Sequence, residues 1–168
     1  MEMRAIGQAR QGDAMSGLWR PFGIGVLTGL RSLSAVAALS WAASLGRIGT
    51  GWIPLGPGAR RLATLAALAE MAGDKMPFAP DRRIALSVLL RLALGVAGGS
   101  VLAGRGVSRM EGALTGIAGA VAGTLLGRTA RGGDTRSGGD WGRALTEDAV
   151  AAGLAVALVR SLARPRRG

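Results

Sequence analysis

Acidic side chains stand inside apolar stretches of this chain, and their types and spacing limit the chemistry open to it. Glu70 and Asp74 are four residues apart, so on a helix they share a face. Lys75 follows Asp74, and Asp81, Arg82 and Arg83 lie beyond Pro77 and Pro80. Two readings fit this run. In one, the acids face a polar cavity and bind a cation or a proton. In the other, Asp74 and Lys75 mark a helix end, and Glu70 is ion-paired with Arg31 or Arg91. An ionised carboxylate alone in hydrocarbon either finds a partner or takes up a proton. Glu147 and Asp148 form a second acidic site. As neighbours they point about 100° apart on a helix, so they cannot face one groove equally. Near a helix N-terminus both would also complement the helix dipole. Glu147 has the stronger functional case, because it matches Glu70 in an internal echo of the sequence. Arg31 follows Thr28-Gly29 at a candidate helix break. A guanidinium there suits bidentate recognition of carboxylate or phosphate; equally, it pairs with Glu70 or Glu147, or snorkels. Thr28 and Thr115 either line a pathway or bond back to their own helices.

The chain has no Cys and no His, which removes disulfides, thiol nucleophiles, Cys/His zinc sites and histidine acid–base chemistry. It carries neither a GxxxxGK[ST] phosphate loop nor a GxSxG nucleophile elbow. Glu70, Asp74, Glu147 and Asp148 on two helices are the one set able to hold a divalent ion against a lipid phosphate, which defines an alternative enzymatic reading. Net charge is +11 over 168 residues, but the arginines sit mostly between apolar runs, where they would meet lipid headgroups. Neither an aromatic–basic platform nor a basic recognition helix is visible, so no nucleic-acid partner is expected.

The elements that must position these residues are apolar and rich in glycine. Apolar residues make up 49% of the chain, aromatics only 4%, and 29 residues are Gly. That mix fails to fill a soluble core and suits helices packed backbone to backbone in lipid. Five segments follow a polar tail (1–17). The first, Leu18 to Leu45, is longer than the ~30 Å hydrocarbon thickness requires at ~1.5 Å per residue; it is one tilted helix or a broken pair of half-helices. A Gly/Pro-rich loop (46–60) follows, with Trp41 and Trp52 as interfacial anchors. The second segment, Arg61 to Met76, is short and stops at the prolines. The third is Ile84 to Leu102 with Arg91 inside it, the fourth is Met110 to Leu126, and the fifth is Arg143 to Leu162, before a basic tail (163–168). Gly112, Gly116, Gly119, Gly123 and Gly127 line one or two faces of the fourth and invite close helix contact, including homodimerisation.

Residues 25–39, GVLTGLRSLSAVAAL, return as GALTGIAGAVAGTLL at 112–126, and ALAEMA (67–72) returns as ALTEDA (144–149). With an odd segment between them, units 18–76 and 109–162 joined by 84–104 form an inverted repeat, the arrangement of many transporters. The expectation is an all-α, polytopic transmembrane bundle in the membrane domain 18–162. Ten basic residues fall on one side and nine on the other. The positive-inside rule then gives no bias, so either one span is miscounted or the protein inserts both ways as an antiparallel homodimer.

At GLRSLSAVAALSWAA (29–43), LAALAEMAGDKMPFAPDR (65–82), GALTGIAGAVAGTLLGR (112–128) and RALTEDAVAAGLAVALVRS (143–161) the chain resembles the bacterial membrane family called domain of unknown function 4126. The acid, Asp-Lys and Pro run (Glu70, Asp74, Lys75, Pro77, Pro80) carries the likeness best, then Glu147–Asp148 and residues 29–32. The resemblance implies a multi-pass protein of the bacterial inner membrane and supplies no activity. The leading expectation is a small transporter or channel. Glu70, Asp74 and Glu147 are its cation or proton sites, and Arg31 is the counter-charge or anion contact. Lipid and a second copy of the chain are its partners, and no cofactor is expected beyond a coupling proton or divalent cation. The alternatives are the metal-dependent lipid enzyme and a non-catalytic membrane scaffold.

Overall fold

The structure, a computed structural model, describes residues 17–49, 53, 56–73, 84–104, 106–131 and 140–162. These residues form six helices and no strand: α1 (17–30), α2 (Ser32–Ser44), α3 (Pro57–Gly73), α4 (Ile84–Val101), α5 (Arg109–Arg131) and α6 (Asp140–Ser161). The all-α expectation holds. Among the described residues one helix, α5 over Arg109–Thr129, is long and apolar enough to cross a membrane, while Ser32–Ser44 and Ser87–Val101 are shorter apolar stretches. Asp74, Lys75, Pro77, Pro80, Trp52 and both tails lie outside the described residues.

Local chemistry sets the ends. Pro57 opens α3, four residues before the expected start, where its missing N–H costs no helical bond. α5 opens on a capping box: Glu111 N–H donates to Ser108 Oγ (3.1 Å) and Ser108 N–H donates to Glu111 Oε2 (2.7 Å). α2 closes on a Schellman turn in which Gly46 takes φ +66°. Gly46 N–H donates to Ala43 and Arg47 N–H to Ala42, 2.9 Å each.

Of the two forms expected for the first apolar segment, the structure has the broken pair of half-helices. Arg31, in extended backbone (φ −145°, ψ 102°), separates α1 from α2, and the chain turns back on itself. Arg20 of α1 donates to Ser161 O, and Arg47, just past α2, donates to Val159 O, so both arms end beside the last turn of α6. Ile24 and Leu39 both pack over Gly98. The pair is a V-shaped helical hairpin with Arg31 at its tip. Each arm runs about 20 Å at ~1.5 Å per residue.

Glycine decides what the hairpin packs on. α5 sits between α1 and α4 with backbone against backbone. A Cβ on Gly25 or Gly116 would fall inside contact distance of Gly116 or Gly95 carbonyl oxygen, and one on Gly99 would strike Gly112. Gly119 and Gly123 meet α1 at Phe22 and Val26 in the same way. The glycine faces read as a candidate dimer surface are therefore filled by α1 and α4 of the same chain. Around them Ile24, Leu27, Leu39, Leu102, Leu158 and Leu162 form the apolar core.

These contacts also give helix direction. Gly25 lies by Gly116 and Gly29 by Gly123, so α1 runs parallel to α5. α3 runs from the open end of the hairpin (Arg60 by Ser44) toward the tip (Glu70 by Ser32), whereas α6 runs from the tip (Asp148 by Arg31) to the open end. One rotation cannot keep α1 and α5 parallel and also reverse α3 onto α6. The sequence echo is not a structural inverted repeat: its first copy is folded at Arg31, and its second, with Ala118 in that place, is straight.

Candidate functional site at the hairpin tip

A chain that turns between two helices leaves carbonyls free at the end of the first and amides free at the start of the second. In lipid or in a protein interior those groups need partners. Here the neighbouring helices supply them. Glu70 of α3 reaches the start of α2: its Oε1 accepts Ser32 N–H (2.9 Å) and its Oε2 accepts Leu33 N–H (2.8 Å). No side-chain cap comes from Arg31 itself. Arg91 of α4 reaches the end of α1 and donates to Gly29 O. An anion thus meets the positive end of α2, and a cation meets the negative end of α1, as the helix dipoles favour.

Arg31 points to the third neighbour. Its Nη2 donates to Asp148 Oδ1 of α6 at 2.7 Å, and the two side chains are 3% and 13% exposed. Thr28, fully buried, donates from Oγ1 to Gly25 O (2.6 Å), and Arg31 N–H closes the last turn of α1 on Leu27 O (2.7 Å). Around one residue of extended backbone, α3, α4 and α6 have each placed a charged side chain.

This geometry sorts the expected site residues. Glu70, Arg31, Arg91, Asp148 and Thr28 come together. Glu70 acts on backbone amides, and Arg31 is met by Asp148, where the sequence offered Glu70 or Glu147. α6 begins at Asp140, so Glu147 and Asp148 lie two turns inside it, beyond reach of the helix end whose dipole they were expected to complement. Glu147 is half-buried beside Asp148. Thr115 stays away from the tip: it bonds back to Glu111 O (2.7 Å), and α5 meets Gly29 through Ala120, Gly123 and Thr124 instead. Asp74 and Lys75 lie outside the described residues. Among those residues no three acids stand close enough to hold a metal ion.

No protein-family model matches the chain, and neither does any curated protein or solved structure.

Chemically, the tip is a balanced, largely dry cluster of two carboxylates and two guanidiniums. Three of the four contacts hold backbone groups, and the fourth pairs two charges. A proton or cation arriving at Asp148 competes with Arg31, and a carboxylate or phosphate arriving at Arg31 competes with Asp148. The sequence missed the amides of Ser32 and Leu33 as ligands of Glu70. Its one signal for them was the candidate break at Thr28-Gly29-Arg31.

Proposed function

We propose that this chain is a small multi-pass membrane protein of transporter or channel type, with its site at the tip of a re-entrant hairpin. The outer surface supports membrane placement. Leu62, Leu65 and Leu68 of α3 and Leu114, Val121 and Leu125 of α5 stand outward, while Thr28, Arg31, Ser32, Ser34 and Ser40 are buried. Large apolar side chains exposed along whole helix faces are what a bundle folded in water avoids.

In this reading α3, α4, α5 and α6 cross the bilayer, and α1–α2 enters and leaves on one side. The charge count then changes. Arg20, Arg47, Arg60, Arg61, Arg109 and Arg160 belong to the open end of the hairpin, against Arg128, Arg131 and Arg143 at the other. Assigned by chain continuity, the connecting segments add Arg4, Arg10, Arg105, Arg164, Arg166 and Arg167 to the first side. They add Lys75, Arg82, Arg83 and Arg136 to the second. Ten against nine becomes twelve against seven, which orients the open end and both termini toward the cytoplasm. Dual insertion as an antiparallel dimer is no longer needed to explain the balance.

The observation that carries the transport reading is the helix interrupted inside the bundle, with both free ends met by ionisable side chains. Interrupted helices are where transporters bind substrate and coupling ions, and ionisable groups at that depth mark function by default. Asp148, facing Arg31, is the group a proton or cation would engage; Glu70 holds the hairpin while it does so. Proteoliposomes carrying a panel of ion and solute gradients test this. Flux through the native chain that is lost in Asp148→Asn is the expected result. No flux under any gradient, or equal flux in Asp148→Asn, defeats the reading. One observation favours a scaffold instead: Glu70 and Arg91 serve the backbone, as purely structural charges would. Under that reading an Arg31→Asp/Asp148→Arg exchange restores everything the single changes lose; under the transport reading it restores folding and not flux.

A further inference from the structure

A cleft of about 500 Å³ opens between α2, α3 and α6, on the side of the hairpin away from α5. Its volume is that of a ligand site, which runs roughly 300–1,000 Å³. Its floor is short side chains from three helices, among them Ala38, Ala67 and Ala155. The lining differs at its two ends. At the tip end stands Ser34, 4% exposed, whose Oγ has no hydrogen-bond partner among the described residues. At the open end stand Arg47 and Arg160, with Trp41 between the cleft and Arg60, whose guanidinium stacks 4.5 Å from the indole centroid. Trp41 Nε1 also donates to Thr64 Oγ1 (3.1 Å), which fixes the ring as a wall. Among the described residues no acid lines the cleft. Ser34 to Ser44 spans about 15 Å along α2 at ~1.5 Å per residue, and Arg47 lies just beyond that end.

An apolar trough with basic residues at one end is complementary to one kind of molecule. We infer that the cleft holds an acyl chain of an anionic phospholipid, with its phosphate against Arg47 and Arg160 and its tail running along the alanines toward Ser34. Charge complementarity chooses the occupant. Zwitterionic lipid would bring a cation to the arginines as well as a phosphate, and a second copy of the chain would have to offer an acidic surface. Arginine at that depth also matches the headgroup level of the cytoplasmic leaflet, the anionic one. The inference rests on the membrane placement proposed above and is independent of whether anything is transported. It gives the lipid a structural consequence, because its tail would wedge the two helices that supply Glu70 and Asp148 to the tip.

Quenching of Trp41 tests the inference. The full chain, with Trp19, Trp52 and Trp141 changed to Phe, is reconstituted in phosphatidylcholine vesicles. These contain a tenth of either brominated phosphatidylglycerol or brominated phosphatidylcholine. Flotation of the protein with the vesicles reports membrane placement by itself; a chain that stays in solution overturns that placement and the lipid site with it. For the floating protein, quenching by the brominated anionic lipid is expected to be at least twofold stronger. Arg160→Gln, an exposed position, and Ala155→Leu, which fills the trough, are each expected to abolish the difference. Equal quenching by the two lipids overturns the site while leaving membrane placement intact. So does a preference unaffected by both substitutions.

Discussion

Glu70 and Arg91 do at the hairpin tip what water does at the ends of a surface helix. Each satisfies backbone groups that no helical bond can reach, and each carries the sign that the local dipole favours. Glu70→Gln keeps an acceptor and a shape but loses the charge; charged hydrogen bonds are worth about 1.5–3 kcal/mol each, against about 1 for neutral ones. It is expected to weaken the fold modestly, and Glu70→Ala more, with faster amide exchange at Ser32 and Leu33 as the direct readout. The Arg31–Asp148 pair behaves differently. Breaking this buried pair by removing one partner costs up to about 3–5 kcal/mol, whereas replacing both with apolar residues costs far less. Arg31→Leu and Asp148→Leu are each expected to lower the unfolding midpoint sharply, and the double change to recover most of it. Little of this was legible in the sequence. An acid and a guanidinium in apolar runs announced that partners were needed. Which partner each would take depends on helix direction and depth, and residue spacing within one segment carries neither.

At the scale of elements, apolar length and its interruptions placed four helices within a few residues of their observed ends. The expected start of the third segment at Ile84 is the start of α4, and the fifth differs by three residues at its start and one at its end. The break in the long first segment was legible at Arg31, but the return of its second half was missed for a physical reason. Hydropathy records that a stretch is apolar and is blind to whether the second half continues or returns. The internal echo failed for another. In a chain this rich in Gly, Ala and Leu, matching letters reflect shared packing chemistry, and the one mismatch that mattered, Arg31 against Ala118, changed the path of the backbone. The glycines on α5 were read correctly as close-contact positions, but for the wrong neighbour. Gly116 lies between α1 and α4, and a Cβ there would fall on the Gly95 carbonyl oxygen of α4, so Gly116→Leu has no room; overpacking costs about 1–3 kcal/mol even where a core yields, and helix backbone yields less. It is expected to abolish the folded state. Gly153→Ala on α6 meets nothing within 4 Å and is expected to be neutral or to raise stability by roughly 0.5–1 kcal/mol, through helix propensity alone. Thermal unfolding of the two variants in one detergent checks the contrast.

For the whole molecule, the hairpin settles how many times the chain is proposed to cross. Because there is no native cysteine, single introduced thiols report sidedness without background. Gly49→Cys and Arg109→Cys are expected to be labelled from the same face as the two termini, and Thr129→Cys from the opposite face. Labelling of Gly49→Cys from the face opposite the N-terminus would return the first segment to a simple crossing and undo the charge recount. The same arrangement explains a surface rich in leucine around an apolar core that also encloses Thr28, Arg31, Ser32, Ser34 and Ser40. What is buried at the centre is polar backbone made safe by charge, and what faces outward has the character of the lipid tails proposed to surround it.

The one-residue link at Arg31 also sets an order of events during biosynthesis. Its counterpart on α6 lies 117 residues further along the chain. At ~5–20 residues per second, a ribosome needs on the order of ten seconds to deliver it. Glu70 and Arg91 emerge well before then, so the hairpin's backbone ends can be secured while its guanidinium still waits. The nascent N-terminal arms therefore have reason to linger at the membrane surface, or in the care of an insertion factor, until the last helix is made. A ribosome stalled before residue 148 would hold them there, with Arg31 still open to solvent.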